Sequence, residues 1–128
     1  MERATGIGGL FIRSKDPAAL ARWYREALGI DTYSDDQAGV WWQAEGPTIW
    51  TPFPQDTDYF GRPEQAFMVN IRVPNLDAML AQLRSLGATV IDDVQVMDGI
   101  GRFGWVEDPE GNRIELWEPA PEALIRPA

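Results

Sequence analysis

The sequence predicts an α+β domain built from two β-α-β-β-β modules, and three features of its 128 residues predict it. Two segments look like copies of one another. Each copy contains an amphipathic stretch with the start and stop signals of a helix. Each stretch is flanked by short runs of period-two alternation, the mark of a strand with one covered face.

The copies begin at Phe11-Ile12-Arg13-Ser14-Lys15-Asp16 and at Asn70-Ile71-Arg72-Val73-Pro74-Asn75. They end at Ala27-Leu28-Gly29-Ile30 and at Ser85-Leu86-Gly87-Ala88, an offset of about 59 residues. Two copies at that spacing indicate a duplicated supersecondary unit and not a solenoid, which needs three or more repeats. In the first helix, Asp16 is an N-cap whose carboxylate accepts the first free N–H groups, and Pro17 takes the first helical position at no loss. Leu20, Trp23, Tyr24, Ala27 and Leu28 form the apolar stripe, and Gly29 suits a left-handed C-terminal position. The second helix repeats the scheme with Asn75, then Leu76, Met79, Leu80, Leu83 and Leu86, then Gly87.

Strands are predicted around both helices. Leu10 and Ile12 alternate with Gly9, Phe11 and Arg13, and Val69, Ile71 and Val73 alternate with Met68, Asn70 and Arg72. The first set in each case faces the helices, so Phe11, Arg13, Met68, Asn70 and Arg72 share the other face. Further strands read at Val40–Gln43, Thr48–Thr51, Thr89–Ile91, Arg102–Val106 and Arg113–Trp117. The last two are joined by Asp108-Pro109-Glu110-Gly111-Asn112, which has turn chemistry. Asp35-Asp36 and Asp92-Asp93 read as solvated turns. The chain is thus expected to be one domain over 1–128, with a first module at about 6–53, a linker at 54–65 and a second module at about 66–118.

Composition excludes several chemistries. There is no Cys and no His, hence no disulfide, thiolate nucleophile, imidazole base or His-ligated metal. A formal charge of -9 argues against a nucleic-acid partner and against an anionic membrane surface. With 45% hydrophobic and 24% charged residues the chain is of ordinary globular type. It begins without an apolar leader-like run and holds no stretch approaching the roughly 20 apolar residues of a membrane helix, so a cytoplasmic protein is expected.

Asp-Pro-Glu-Gly-Asn-Arg-Ile-Glu-Leu-Trp at 108–117 resembles the closing hairpin of the vicinal oxygen chelate superfamily, which includes glyoxalase I, bleomycin-resistance proteins and extradiol dioxygenases. Ser14-Lys15-Asp16-Pro17 with Trp23-Tyr24 and Leu28-Gly29 looks like its opening motif, and Gly101-Arg102-Phe103-Gly104-Trp105 is similar to the strand before the hairpin. The resemblance implies two modules curled into a mixed sheet around a cup, often between two chains of a dimer. It also implies four metal-ligand positions on inward strands. These fall on Gly9, near Ile49 or Trp50, on Met68 and on Glu115, so only Glu115 keeps a ligand. One carboxylate does not hold a divalent ion, and no cofactor is expected.

The cup face then collects Arg13, Arg72 and Arg113 with Glu115 and Asn70. Two readings follow: an anchor for an anionic or oxygen-rich ligand, or an internal arginine–Glu115 ion pair filling the vacated metal position. Trp50, Trp105 and Trp117 sit on strands, and alternation sends one of Trp41 and Trp42, taken here as Trp42, inward beside them. Such walls describe a site for a flat organic molecule. Tyr33, Tyr59 and Glu115 are the groups able to move a proton, and the linker around Gln55–Gly61 reads as a lid. The favoured function is metal-independent binding of an aromatic or oxygen-rich small molecule by a homodimer. The alternative is a glyoxalase- or dioxygenase-type enzyme with Glu115 as metal ligand or general base, and a third reading is a non-catalytic interaction domain with a self-filled cup.

Overall fold

A computed structural model describes residues 1–32 and 39–128. Helix α1 spans Pro17–Leu28 and α2 spans Leu76–Ser85. The caps are those the sequence indicated: Asp16 Oδ1 accepts from Ala19 N at 3.1 Å and Asn75 Oδ1 from Ala78 N at 3.0 Å. Gly29 closes α1 at φ 70°, a backbone state a side chain would oppose.

The strands are β1 (Val69–Arg72), β2 (Thr89–Met97), β3 (Gly101–Glu107) and β4 (Arg113–Pro119), followed by a 3-10 turn at Pro121–Leu124. They form one mixed sheet in the order β1-β4-β3-β2, with β1 parallel to β4 and the other pairs antiparallel. Helix α2 carries the chain from one sheet edge to the other, so residues 69–119 make a complete β-α-β-β-β unit.

The core lies between the helices and one sheet face. Leu76, Leu83, Val106 and Leu116 are fully buried, joined by Leu80, Ile114, Val73, Ala27 and Leu28. Gly104 admits α2 closely: a Cβ there would stand 3.3 Å from Leu76 Cδ1. Leu86, expected in the stripe of α2, lies past its last helical residue and is exposed.

Two differences from the sequence reading stand out. Strand β2 runs on through Asp92-Asp93 to Met97, with a register irregularity between Ile91 and Gln95, where a turn was expected. A bulge absorbs polar residues without ending a strand. Second, the strands expected at 9–13, 40–43 and 48–51 are absent: among the described residues, 1–13 and 39–53 contain no helix or strand. Their alternation is real, but among the described residues no backbone hydrogen bond joins these stretches to the sheet, and a strand exists only with a partner.

Candidate functional site

The site is built on the sheet face turned away from the helices. Pairing sets Asn70 beside Glu115 and Glu115 beside Trp105, so these three form one row across β1, β4 and β3. The next row is Arg72, Trp117 and Phe103. Phe103 and Trp117 stack with planes 2° apart and centroids at 6.0 Å, and Trp117 Nε1 donates to the Ile100 carbonyl at 3.0 Å.

Glu115 is buried at the centre of this face. Its Oε1 accepts from Asn70 Nδ2 at 2.7 Å. Its Oε2 accepts from Trp105 Nε1 at 3.2 Å and from the hydroxyl of Tyr59. Three neutral donors therefore hold the carboxylate, which meets the demand that a buried polar group be hydrogen-bonded. Tyr59 arrives from the linker. Its ring lies parallel to Phe53 at 5.5 Å and edge-on to Trp105 at 6.2 Å. Burial raises the Tyr59 phenol well above its ordinary range, the hydrogen bond to Glu115 and that carboxylate's charge raise it further, and Trp105 and Arg113 oppose the shift. The phenol is thus held as a proton donor.

Of the two readings, the ion pair between an arginine and Glu115 is not formed among the described residues. Arg72 turns to the carbonyls of Ala44 and Glu45, at 3.0 and 3.4 Å from its two terminal nitrogens. Arg113 Nη1 donates to the Tyr59 carbonyl at 3.2 Å, and its buried Nε has no partner among the described residues. Arg13 is exposed on a stretch that does not join the sheet. Neutral donors reach Glu115 from its own row and from the linker, while Arg72 and Arg113 engage main-chain oxygens.

Of the remaining residues named from sequence, Met68 is half-buried just before β1. Phe11, Trp42 and Trp50 are 93%, 88% and 83% exposed, outside the row around Glu115. Tyr33 and Asp35-Asp36 lie outside the described residues. Sequence reasoning missed Phe53 and Phe103 and placed Phe60 only within the lid segment. Phe103 shares the alternation of Trp105 and was open to the same argument, whereas Phe53, at the end of the first module, and Phe60, on the linker, follow no periodicity that assigns them.

The residues do not fit a divalent cation. Glu115 has its oxygens committed to three donors, and Gly9 and Met68 offer no side-chain oxygen. Among the described residues no three acidic side chains converge on a point.

A second cluster joins the two motifs that carried the resemblance. Buried Asp108 accepts from Tyr24 Oη at 2.8 Å, from the N–H groups of Glu110 and Asn112 at 2.8 and 3.0 Å, and from Asn112 Nδ2 at 2.7 Å. Glu110 accepts from the Ser14 hydroxyl and from Lys15 N at 2.7 Å. Arg62 ties in the linker through Asn112 Oδ1 at 2.9 Å and the Glu110 carbonyl at 3.0 Å. The β3–β4 turn thus clamps the start of α1 and the end of the linker, which sets where Tyr59 can reach.

A family model described as a glyoxalase-like domain matches residues 9–117. The chain belongs to the glyoxalase-like domain family and has a vicinal oxygen chelate fold. No curated protein matches it. Among solved structures it is similar to TnmS3, an antibiotic binding protein from Streptomyces sp. CB03234, with 22% identity over 93% of this chain and 100% of the other at TM-score 0.56. It is similar to a glyoxalase/bleomycin resistance protein from the same Streptomyces, with 24% identity over 81% and 92% at TM-score 0.50. A Sphaerobacter thermophilus member of the glyoxalase/bleomycin resistance protein/dioxygenase superfamily aligns at 18% identity over 84% and 91%, with TM-score 0.54. At such identities the likeness is one of fold. No helix among the described residues is long and apolar enough to cross a membrane.

Proposed function

We propose that the protein binds an aromatic or oxygen-rich small molecule against the sheet face around Glu115, without a metal. The observation that carries this reading is a buried carboxylate held by three neutral donors amid aromatic rings. Aromatic walls with a few fixed polar groups suit a flat organic ligand. Asn70, though bonded to Glu115, is itself exposed, so the row remains open on the β1 side. The fold relation to an antibiotic binding protein agrees with a binding role.

The same reading includes a cytoplasmic homodimer, with neither nucleic acid nor membrane as partner. Its support is the exposure of Phe11, Trp42 and Trp50 on strand-patterned stretches, large apolar side chains that a second copy would cover. Sedimentation across a concentration range tests the dimer, and a monomer at all concentrations would overturn it. The ligand reading is tested by tryptophan-fluorescence titration of the full chain with flat aromatic drugs and small carboxylates. A saturable change that survives chelator and weakens in Glu115→Gln is expected. Stoichiometric Mn²⁺, Ni²⁺, Zn²⁺ or Fe²⁺ in the purified protein, or chelator-sensitive binding, would overturn the metal-free reading and favour an enzyme using Glu115 as a ligand.

A further inference from the structure

The placement of Tyr59 asks for an explanation that a simple lid does not supply. Its hydroxyl is seated on Glu115 Oε2, while its ring fills a slot between Phe53, whose plane lies 15° away, and Trp105, whose plane lies 87° away. The slot is thus shaped for one flat ring carrying one hydrogen-bond donor, directed at a carboxylate whose other oxygen is fixed by Asn70 at 2.7 Å.

Beyond these contacts the ring meets Phe60, on its own segment, edge-on at 6.5 Å, and little else among the described residues holds it in place. Residues 53–61 contain no helix or strand. Among the described residues their backbone N–H bonds stay within the segment: Thr57 N to Pro54 O at 3.0 Å, Gly61 N to Asp58 O at 3.2 Å and Tyr59 N to Thr57 Oγ1 at 3.2 Å. One bond reaches outward from the Tyr59 carbonyl, accepted from Arg113 Nη1 at 3.2 Å. Phe53 is 42% exposed. A segment so weakly tied is drawn from the low-stability end of a structure and can leave without unfolding the sheet.

Resting on the binding reading above, we propose that Tyr59 is an internal stand-in for the ligand: the slot receives a phenolic compound whose O–H replaces that of Tyr59 on Glu115 and whose ring takes the place of the tyrosine ring against Trp105. An aromatic ether has no proton to give to the carboxylate, and a phenolate would meet it with like charge, so the neutral hydroxyl is the group recognised. Because the protein's own side chain competes for the slot, the ligand's apparent affinity is reduced by the fraction of molecules in which Tyr59 is seated.

Equilibrium dialysis at neutral pH with 2-naphthol and 2-methoxynaphthalene tests this on the full chain. The wild type is expected to bind 2-naphthol about tenfold more tightly than the methyl ether, the factor a hydrogen bond to a charged acceptor supplies. Tyr59→Ala should bind 2-naphthol about tenfold more tightly still, by losing the competitor. Tyr59→Phe, which keeps the ring and removes only the hydroxyl, should gain less and serves if the alanine variant fails to fold. Glu115→Gln should lose much of the preference for the hydroxyl. Equal binding of the two probes, or no gain in either Tyr59 variant, would overturn the proposal while leaving the binding reading standing. Absence of binding of both probes by every variant would overturn the two together.

Discussion

The two halves of this chain carry the same pattern and meet different fates. Residues 69–119 build a four-stranded sheet with α2 packed against it, and Leu76, Leu83, Val106 and Leu116 are fully buried there. The first half contributes α1, while its strand-patterned stretches lie unpaired with Phe11, Trp42 and Trp50 facing outward. Alternation decides which side chains could share a face, but a strand forms only when its N–H and C=O groups find another strand. In the second half the partners follow within a few dozen residues of sequence. In the first they do not lie within the described chain.

The largest effect expected from this contrast is between Leu116→Ala and Trp50→Ala. Leu116 has no exposed surface, so the alanine variant should lose about 3–4 kcal/mol in denaturant unfolding. Trp50, at 83% exposure, should stay within about 0.5 kcal/mol of wild type in dilute solution. A loss at Trp50 that grows with protein concentration would sharpen the comparison by assigning that surface to contact between copies.

The seam between the halves comes next. Tyr24→Phe removes a donor from buried Asp108 and should cost about 1–2 kcal/mol. Burial, then the bond to Asp108 and its charge, raise the Tyr24 phenol above its ordinary value of 10.0. A raised folded value means the contribution is complete below that ordinary value and lost as pH climbs above it. Wild type should therefore lose stability on the alkaline side more steeply than Tyr24→Phe, read by unfolding at a series of pH values.

Helix caps should be nearly equal in the two halves. Asp16→Ala and Asn75→Ala each remove one accepted N–H and should each cost about 1 kcal/mol by thermal or denaturant unfolding. A far smaller loss at Asp16 would show α1 to be held by the clamp and not by its cap.

The smallest effect is at Glu110. Ser14's hydroxyl, then the Lys15 N–H, hold this carboxyl below its ordinary value of 4.5. A lowered folded value gives a contribution present above the ordinary carboxylate range and lost as pH falls through the folded one. Glu110→Gln should flatten that part of the acid limb of stability against pH. An unchanged acid limb would remove this contact from the seam between the halves.

Much of the fold could be read without coordinates. Both helices, their caps, β1, β3, β4 and the turn at 108–112 follow from signals contained within about ten residues. The shared face of Asn70, Arg72, Trp105, Arg113, Glu115 and Trp117 follows from alternation together with pairing register. What misled was counting charges along that face. Arginines near a lone glutamate suggested an ion pair, yet Arg72 found the carbonyls of Ala44 and Glu45, residues far away in sequence. Tyr59 could be named as a proton-transfer group on a lid, but nothing local directed it to Glu115.

By itself, then, the sequence determined the helices with their ends, the two-sided patterning of the second-half strands and the turn motif, because caps, glycine positions and periodicity act over neighbouring residues. The tertiary structure alone decided that the first-half stretches go unpaired and that Tyr59, 56 residues from Glu115, supplies its hydrogen bond. Those outcomes depend on which groups meet after the chain has closed on itself, and many partners of comparable chemistry compete for each place until the fold selects one.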